Sequence, residues 1–194
     1  FDSMSVDERL AQLFMIEVRP TYGPKHIANV EKSIRDHQVG GVVFFKGNPT
    51  EQVKLTNRFQ ALSKTKMLVA IDGEWGLAMR LSNTISYPYQ LGLGSIADNK
   101  IIYEMGREIG RQCKRMGIHV NFAPVIDVNN NPNNPVINYR SFGEDPTKVS
   151  EKGWAYAKGM QDEGIIACAK HFPGHGDTDV DSHKDLPVIN HDMD

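Results

Sequence analysis

The sequence predicts an α/β fold, a (β/α)8 TIM barrel of which about the first five β/α units are present. Three observations predict it. First, short, strongly apolar runs alternate with helical patterns five times along the chain. Continuous apolar strands of that kind imply a parallel sheet covered by helices. Second, Asp72, Asp127 and the pair Lys170-His171 each stand directly after such a run. A barrel collects its active site there, from the C-terminal ends of several strands at once. Third, the first run is followed by Arg19-Pro20-Thr21-Tyr22-Gly23, with no glycine-rich phosphate loop. An open doubly wound sheet would place such a loop after its first strand.

Each element has its own local reason. Ser5 and Glu8 match a capping box, so a short helix should follow. Leu13 to Val18 reads as a buried strand. Ile27, Val30 and Ile34 are spaced for one helix face. Gly40-Gly41 leads into the second strand, Val42 to Phe45. Thr50 is placed to cap a helix whose inner face is Leu55, Phe59 and Leu62. Met67 to Ile71 is the third strand, and Asp72 ends it. Ile102, Met105, Ile109, Cys113 and Met116 form a long helix face, with Gly117 as the stop signal. His119 to Ile126 is the fourth strand, ending at Asp127. Asp145-Pro146 sets a cap and a proline at the first helical position. Val149, Tyr156 and Met160 then face inward, and Gly164 opens the fifth strand, Ile165 to Ala169.

Composition narrows the function classes. Hydrophobic residues are 40% and charged residues 24% of the 194, which excludes disorder, collagen and coiled coil as whole-chain descriptions. Lys plus Arg number 22 against 24 Asp plus Glu, a net charge of -2. That balance gives no electrostatic footprint for nucleic acid. No apolar run reaches the roughly 18 residues of a spanning helix, and no signal peptide is visible. The two cysteines, Cys113 and Cys168, sit in apolar segments and read as separate thiols, not a disulfide framework. The chain opens with Phe1, and five units fall short of the eight strands and about 250 residues of a barrel. The expectation is therefore a piece of a larger barrel that needs its remaining segment. Location in the periplasm or cell envelope is expected, with the cytoplasm as the alternative.

The chemistry concentrates near the end. Four of the seven histidines, His171, His175, His183 and His191, lie in the last 24 residues. Pro173 to His183 follows a buried strand with two glycines and a proline, so it is a loop. One reading is a metal site, with His171 and His175 joined by Asp177, Asp179 or Asp181. The spacing of the two histidines suits a helix, which Pro173-Gly174 disfavours. The other reading is metal-free acid/base work. Asp181 and His183 lie two apart, and in an extended segment both side chains point to the same side. A carboxylate there holds one imidazole nitrogen and favours the charged ring, leaving a histidine that serves as acid and base. Lys170 is placed to bind a substrate hydroxyl or to balance nearby carboxylates.

Two other segments carry a choice. In Ile71-Asp-Gly-Glu-Trp-Gly76, an acid ends a strand beside a Trp, a pair suited to sugar hydroxyls and a pyranose face. The plain alternative is a turn with a packed Trp75. In Asn138-Tyr-Arg-Ser-Phe-Gly-Glu-Asp-Pro146, Arg140 either offers a fork of donors to a substrate oxygen or pairs with Glu144 or Asp145.

Together these segments resemble glycoside hydrolase family 3, in its NagZ-type β-N-acetylglucosaminidase branch. The resemblance begins at Val6-Asp-Glu-Arg-Leu-Ala-Gln-Leu-Phe-Met15 and runs to Pro187. Its most specific part is Lys170-His-Phe-Pro-Gly-His-Gly176 followed by Asp181-Ser-His183. Arg140 to Pro146 and Ala123-Pro-Val-Ile-Asp127 match as well. The resemblance implies a (β/α)8 barrel and retaining hydrolysis of β-linked N-acetylglucosaminides through a covalent glycosyl-enzyme. It implies that His183, oriented by Asp181, is the general acid/base. It implies that Asp72, Arg140, Lys170 and His171 bind the N-acetylglucosamine unit. The substrate class is a small carbohydrate, such as peptidoglycan or chitooligosaccharide fragments, with no cofactor and no metal. The family nucleophile is an Asp beyond the seventh strand, expected after Asp194, and Asp194 itself is not assigned that role. Trp75-Gly76-Leu77 stands where the family often has Gly-Gly-Arg, with Arg80 three residues further on. An N-acetylglucosaminide phosphorylase and a non-catalytic carbohydrate-binding barrel are the alternatives.

Overall fold

The structure is a computed structural model that describes residues 2–189. His191 and Asp194 lie outside the described residues. Five parallel strands form one sheet in the order β1-β2-β3-β4-β5: Met15–Val18, Gly41–Phe44, Leu68–Ile71, Val120–Asn121 and Ile166–Ala167. Every neighbour in the sheet is the next strand in the chain. A doubly wound sheet reverses its order at a switch point, and this sheet never does. Sequential parallel order is the arrangement that curls into a barrel. The register steps from Met15 opposite Gly41 to Gly41 opposite Leu68, then from Val120 opposite Ile166.

Helices fill the connections. α1 (Val6–Ala11) opens with both halves of the capping box, Ser5 N–H to Glu8 Oε2 at 2.9 Å and Glu8 N–H to Ser5 Oγ at 3.2 Å. α2 (Pro24–His37) turns Ile27, Val30 and Ile34 onto the sheet. α3 (Pro49–Leu62) does the same with Leu55 and Phe59, and Phe59 stacks on Phe44 with ring centroids 6.4 Å apart. The cap of α3 is Asn48, not Thr50: Asn48 Oδ1 accepts the Glu51 N–H at 3.0 Å. Pro49 takes the first helical position, which pushes Thr50 inside the helix.

A short α4 (Gln90–Gly94) precedes the long α5 (Asn99–Arg115), which ends at Met116 with Gly117 at φ +70°. α6 (Pro146–Asp162) starts on Asp145, whose Oδ1 accepts from Thr147 and Lys148 N–H at 2.9 and 3.2 Å. The core lies between sheet and helices, with Val42, Phe44, Val69, Ile71, Ile109, Cys113 and Tyr156 excluded from solvent. Both cysteines are free thiols, and burial drives the Cys113 thiol up to about 12.

The fourth strand is shorter than the sequence predicts. Its ladder stops at Asn121, and one parallel bridge, Val125 to Lys170, follows further on. Pro124 has no N–H to donate, so the run of apolar residues through it is not one continuous ladder. Beyond that break the Ile126 N–H donates to the Lys170 carbonyl at 2.7 Å, which sets Asp127 beside His171.

Candidate active site

The segments that follow β3, β4 and β5 bring five charged groups, Asp72, Glu74, Arg80, Arg140 and Lys170, into one network of ion pairs, with the Asp127–His171 pair beside it. Lys170 Nζ donates to Asp72 Oδ1 at 2.6 Å and stands 2.7 Å from Glu74 Oε1. Arg80 pairs with Asp72 Oδ2. Arg140 forks onto Glu74, Nε to Oε2 at 2.9 Å and Nη2 to Oε1 at 2.7 Å. The Asp127 carboxylate takes the His171 ring, Nδ1 to Oδ2 at 2.6 Å. Asp72 and Glu74 are thus matched by three cations, Arg80, Arg140 and Lys170, and Asp127 by the His171 ring. A set of charges at this depth is tolerable because each has a partner.

Burial raises the Asp72 carboxyl, but Lys170 and Arg80 beside it outweigh burial and hold it below the usual carboxylate range. Burial likewise raises Glu74, and the bonds to Arg140 and Lys170 reverse the direction. For Asp127 burial is again the largest single effect. The His171 ring and the backbone N–H groups of His175 and His171 overcome it, and the net direction is down. Opposite charge and hydrogen bonds to the ionised form win in all three cases.

The turn that carries two of the acids is clamped from below. Asn121 Oδ1 accepts the Gly73 N–H at 2.9 Å, and its Nδ2 donates to the Gly73 carbonyl at 3.2 Å. The Tyr156 hydroxyl donates to the Glu74 carbonyl at 3.2 Å. A Cβ on Gly73 would sit 3.2 Å from Asn121 Oδ1 and 3.1 Å from the Gly76 carbonyl, so glycine is what lets the clamp close. Asn121 and Tyr156 are both solvent-free.

The Asp181–His183 pair lies on the loop after β5. Asp181 Oδ1 accepts both the backbone N–H of His183 at 2.9 Å and its ring Nδ1–H at 2.8 Å. Those two bonds from His183 hold the Asp181 carboxyl below its ordinary value. The segment is a turn and not the extended run expected: the Lys184 N–H also reaches the Asp181 carbonyl at 2.9 Å. The pairing survives because a two-residue turn lets one aspartate oxygen face both groups. With Nδ1 occupied, Nε2 is the ring nitrogen with no hydrogen-bond partner among the described residues. The His183 side chain is 78% exposed, and no hydrogen bond joins it to the Asp72 and Glu74 cluster among the described residues.

So Asp72, Arg140, Lys170 and His171 are brought together, and Asp181 and His183 pair separately on the neighbouring loop. Arg140 meets neither Glu144 nor Asp145. Its fork is fixed by Glu74, a residue whose role sequence reasoning missed although it stands two after Asp72. Asn121 was missed too, and its signal is a polar side chain inside an apolar strand. The His175 nitrogens go to Thr178 and Ser182, and Trp75 packs edge-on against Tyr89 at 4.8 Å.

Fold and site define a parallel α/β barrel segment with a cluster of paired charges at its strand ends. The sequence matches the glycosyl hydrolase family 3 N terminal domain over residues 5–194, and the chain belongs to that family. Beta-hexosaminidase A of Pseudoalteromonas piscicida is 40% identical over 174 residues, covering 83% of this chain and 29% of that protein. Beta-hexosaminidase LpqI of Mycobacterium tuberculosis is 32% identical over 186 residues, covering 93% and 46%. The solved glycoside hydrolase family 3 beta-N-acetylglucosaminidase from Paenibacillus sp. str. FPU-7 superposes with a TM-score of 0.89 at 34% identity, covering 98% of this chain and 37% of that one. The chain thus spans less than half the length of these relatives.

Proposed function

We propose that this chain supplies the sugar-binding floor and the acid/base group of an enzyme that removes β-linked N-acetylglucosamine from small glycans. The observation that carries the reading is the pairing of a fixed Asp72, Arg140, Lys170 and His171 cluster with an Asp181–His183 dyad on the next loop. Lys170 has three N–H donors, and two go to Asp72 and Glu74. The third is directed to a substrate hydroxyl. His171 donates from Nδ1 to Asp127, and its Nε2 faces Arg140 Nη2 at 3.4 Å, which sets the ring beside the guanidinium. Asp72 keeps lone pairs beyond its two cation contacts. Donors and acceptors alternating over one short span suit the hydroxyls of a pyranose.

His183 then does proton work. Asp181 anchors the Nδ1–H, so Nε2 carries the transferable proton. The protonated ring gives it to the departing glycosidic oxygen, and the neutral ring later takes one from water. A retaining reaction also needs a carboxylate nucleophile on the other face of the sugar. We assign that group to a further part of the barrel, together with the strands that pair with the outer edges of β1 and β5. Exposed apolar side chains along those edges, Phe14 beside β1 and Ile166 on β5, support a covering segment there. Peptidoglycan and chitooligosaccharide fragments are the substrates proposed.

The test is the complete protein on aryl β-N-acetylglucosaminide and aryl β-glucoside substrates, with and without inorganic phosphate. Release of N-acetylglucosamine in preference to glucose is the expected result. A sugar 1-phosphate product in the phosphate arm would replace hydrolysis by phosphorolysis, and no release from either glycoside would overturn the reading.

A further inference from the structure

We infer that His175 is a positioning residue that fastens the acid/base loop to the sugar-binding cluster, acting through Ser182. This rests on His183 being the acid/base group. His175 is buried, and every polar atom it has is in use. Its N–H donates to Asp127 Oδ1 at 2.7 Å. Its carbonyl accepts from Asn134 Nδ2 at 2.6 Å and from the Thr178 hydroxyl at 3.0 Å. Its ring reaches Thr178 Oγ1 at 2.5 Å through Nδ1 and Ser182 Oγ at 3.0 Å through Nε2.

The proton positions follow from these partners. A hydroxyl has one proton, and the Thr178 hydroxyl gives its proton to the His175 carbonyl. Thr178 Oγ1 is therefore the acceptor for an Nδ1–H. In the neutral ring Nε2 is then bare and accepts the Ser182 hydroxyl proton. Ser182 lies between Asp181 and His183, so this one bond reaches the backbone of the dyad. Among the described residues it is the only hydrogen bond that ties residues 179–189 to the rest of the chain.

Asp127 completes the coupling. One of its oxygens fixes His175; the other accepts the N–H and the ring Nδ1–H of His171 at 3.2 and 2.6 Å. A single carboxylate therefore sets the height of a sugar-binding histidine and of the loop anchor together. Gly176 keeps the anchor seated, because a Cβ there would overlap the Val128 carbonyl. The sugar-binding pairs at Asp72, Glu74, Arg140 and Lys170 do not pass through His175. Loss of the anchor should impair proton transfer and leave sugar binding intact.

The experiment compares two leaving groups in the full-length enzyme. A 2,4-dinitrophenyl N-acetylglucosaminide departs without a proton, whereas a 4-methylphenyl one needs it. S182A removes one exposed hydroxyl, S182T keeps it, and H175A removes the whole anchor. H183A is measured alongside. A positioned acid/base supplies roughly 10²–10⁴-fold, and S182A and H175A should each forfeit about 10-fold or more of it on the poor leaving group. On the activated substrate kcat/KM, which reports formation of the glycosyl-enzyme and needs no proton, should change little, and S182T should restore the rate on the poor one. Selective loss in H183A combined with equal losses, or none, on both substrates in S182A and H175A would overturn the inference alone. Equal losses in H183A itself would overturn the acid/base assignment and the inference with it.

Discussion

The strand-end cluster and the loop after β5 solve opposite problems. Asp72, Glu74, Arg140 and Lys170 are held by paired charges, with Glu74 only 1% exposed and Lys170 13%. Asp181 and His183 are held by each other, and the ring of His183 stands in solvent. A binding floor gains from being set before the sugar arrives, because its dipoles then need no reorganisation. A group that must protonate, deprotonate and meet water gains from access. Rigidity and access are thus divided between two elements joined by one aspartate, Asp127, and one histidine, His175.

The strongest way to break that contrast is Glu74→Ala. It leaves Arg140 and Lys170 facing each other with no carboxylate between them. Removing one partner of a buried ion pair costs about 3–5 kcal/mol, so the urea midpoint should fall sharply and activity should vanish with it. A midpoint within error of the parent would show that the cluster is not a structural unit. His183→Ala is the mirror experiment. It should lower kcat on a poor leaving group by about 10²–10⁴-fold and leave the urea midpoint in place, since the ring is exposed. A large stability loss there would erase the distinction between floor and loop.

Acid separates the two regions more gently. The folded values of Asp72 and Glu74 lie below their ordinary 3.8 and 4.5. Their pairing therefore contributes fully above pH 4.5 and is lost as pH falls from there through the depressed folded values. Unfolding measured between about pH 6 and pH 3 should show stability draining away below pH 4.5. Glu74→Ala should flatten part of that slope, and His183→Ala should leave the Asp72 and Glu74 part of it in place. An identical slope in all three proteins would place the acid lability elsewhere.

Legibility in the sequence follows the same division. The strands, most caps and the Asp181–His183 pair are local patterns, readable over two to seven residues. Asp145-Pro146 and Ser5 with Glu8 capped the helices they were read to cap, because a cap is decided by its own N–H groups. Asn48 took the cap from Thr50 for an equally local reason, the proline between them. Glu74 was not legible as the keystone of the cluster. Its partners are 66 and 96 residues away, at Arg140 and Lys170, and nothing in a D-G-E triplet says which acid turns toward them. The break in β4 was hidden because Pro124 lies inside a run whose apolar character continues on both sides. The turn at Asp181 was hidden because period-two spacing and an aspartate-led turn both bring residues i and i+2 together.

The smallest expected effect tests which partner Asp181 serves. Lys184 approaches Asp181 Oδ2 at 3.8 Å with its side chain 81% exposed. His183 gives two bonds to Oδ1, the backbone one and the ring one. Exposed pairs of the first kind contribute little or nothing measurable, because water screens them and a long side chain must be ordered to make them. Lys184→Ala should therefore leave kcat, KM and the urea midpoint where they are. Asp181→Asn retains an acceptor oxygen but removes the charge that favours the protonated ring. It should lower kcat/KM on poor leaving groups while sparing that of activated ones, because the imidazolium loses its counter-charge. If Lys184→Ala lowered kcat/KM on poor leaving groups as far as Asp181→Asn does, the working charge would belong to the lysine–aspartate pair, and the dyad would not be the unit that carries the proton.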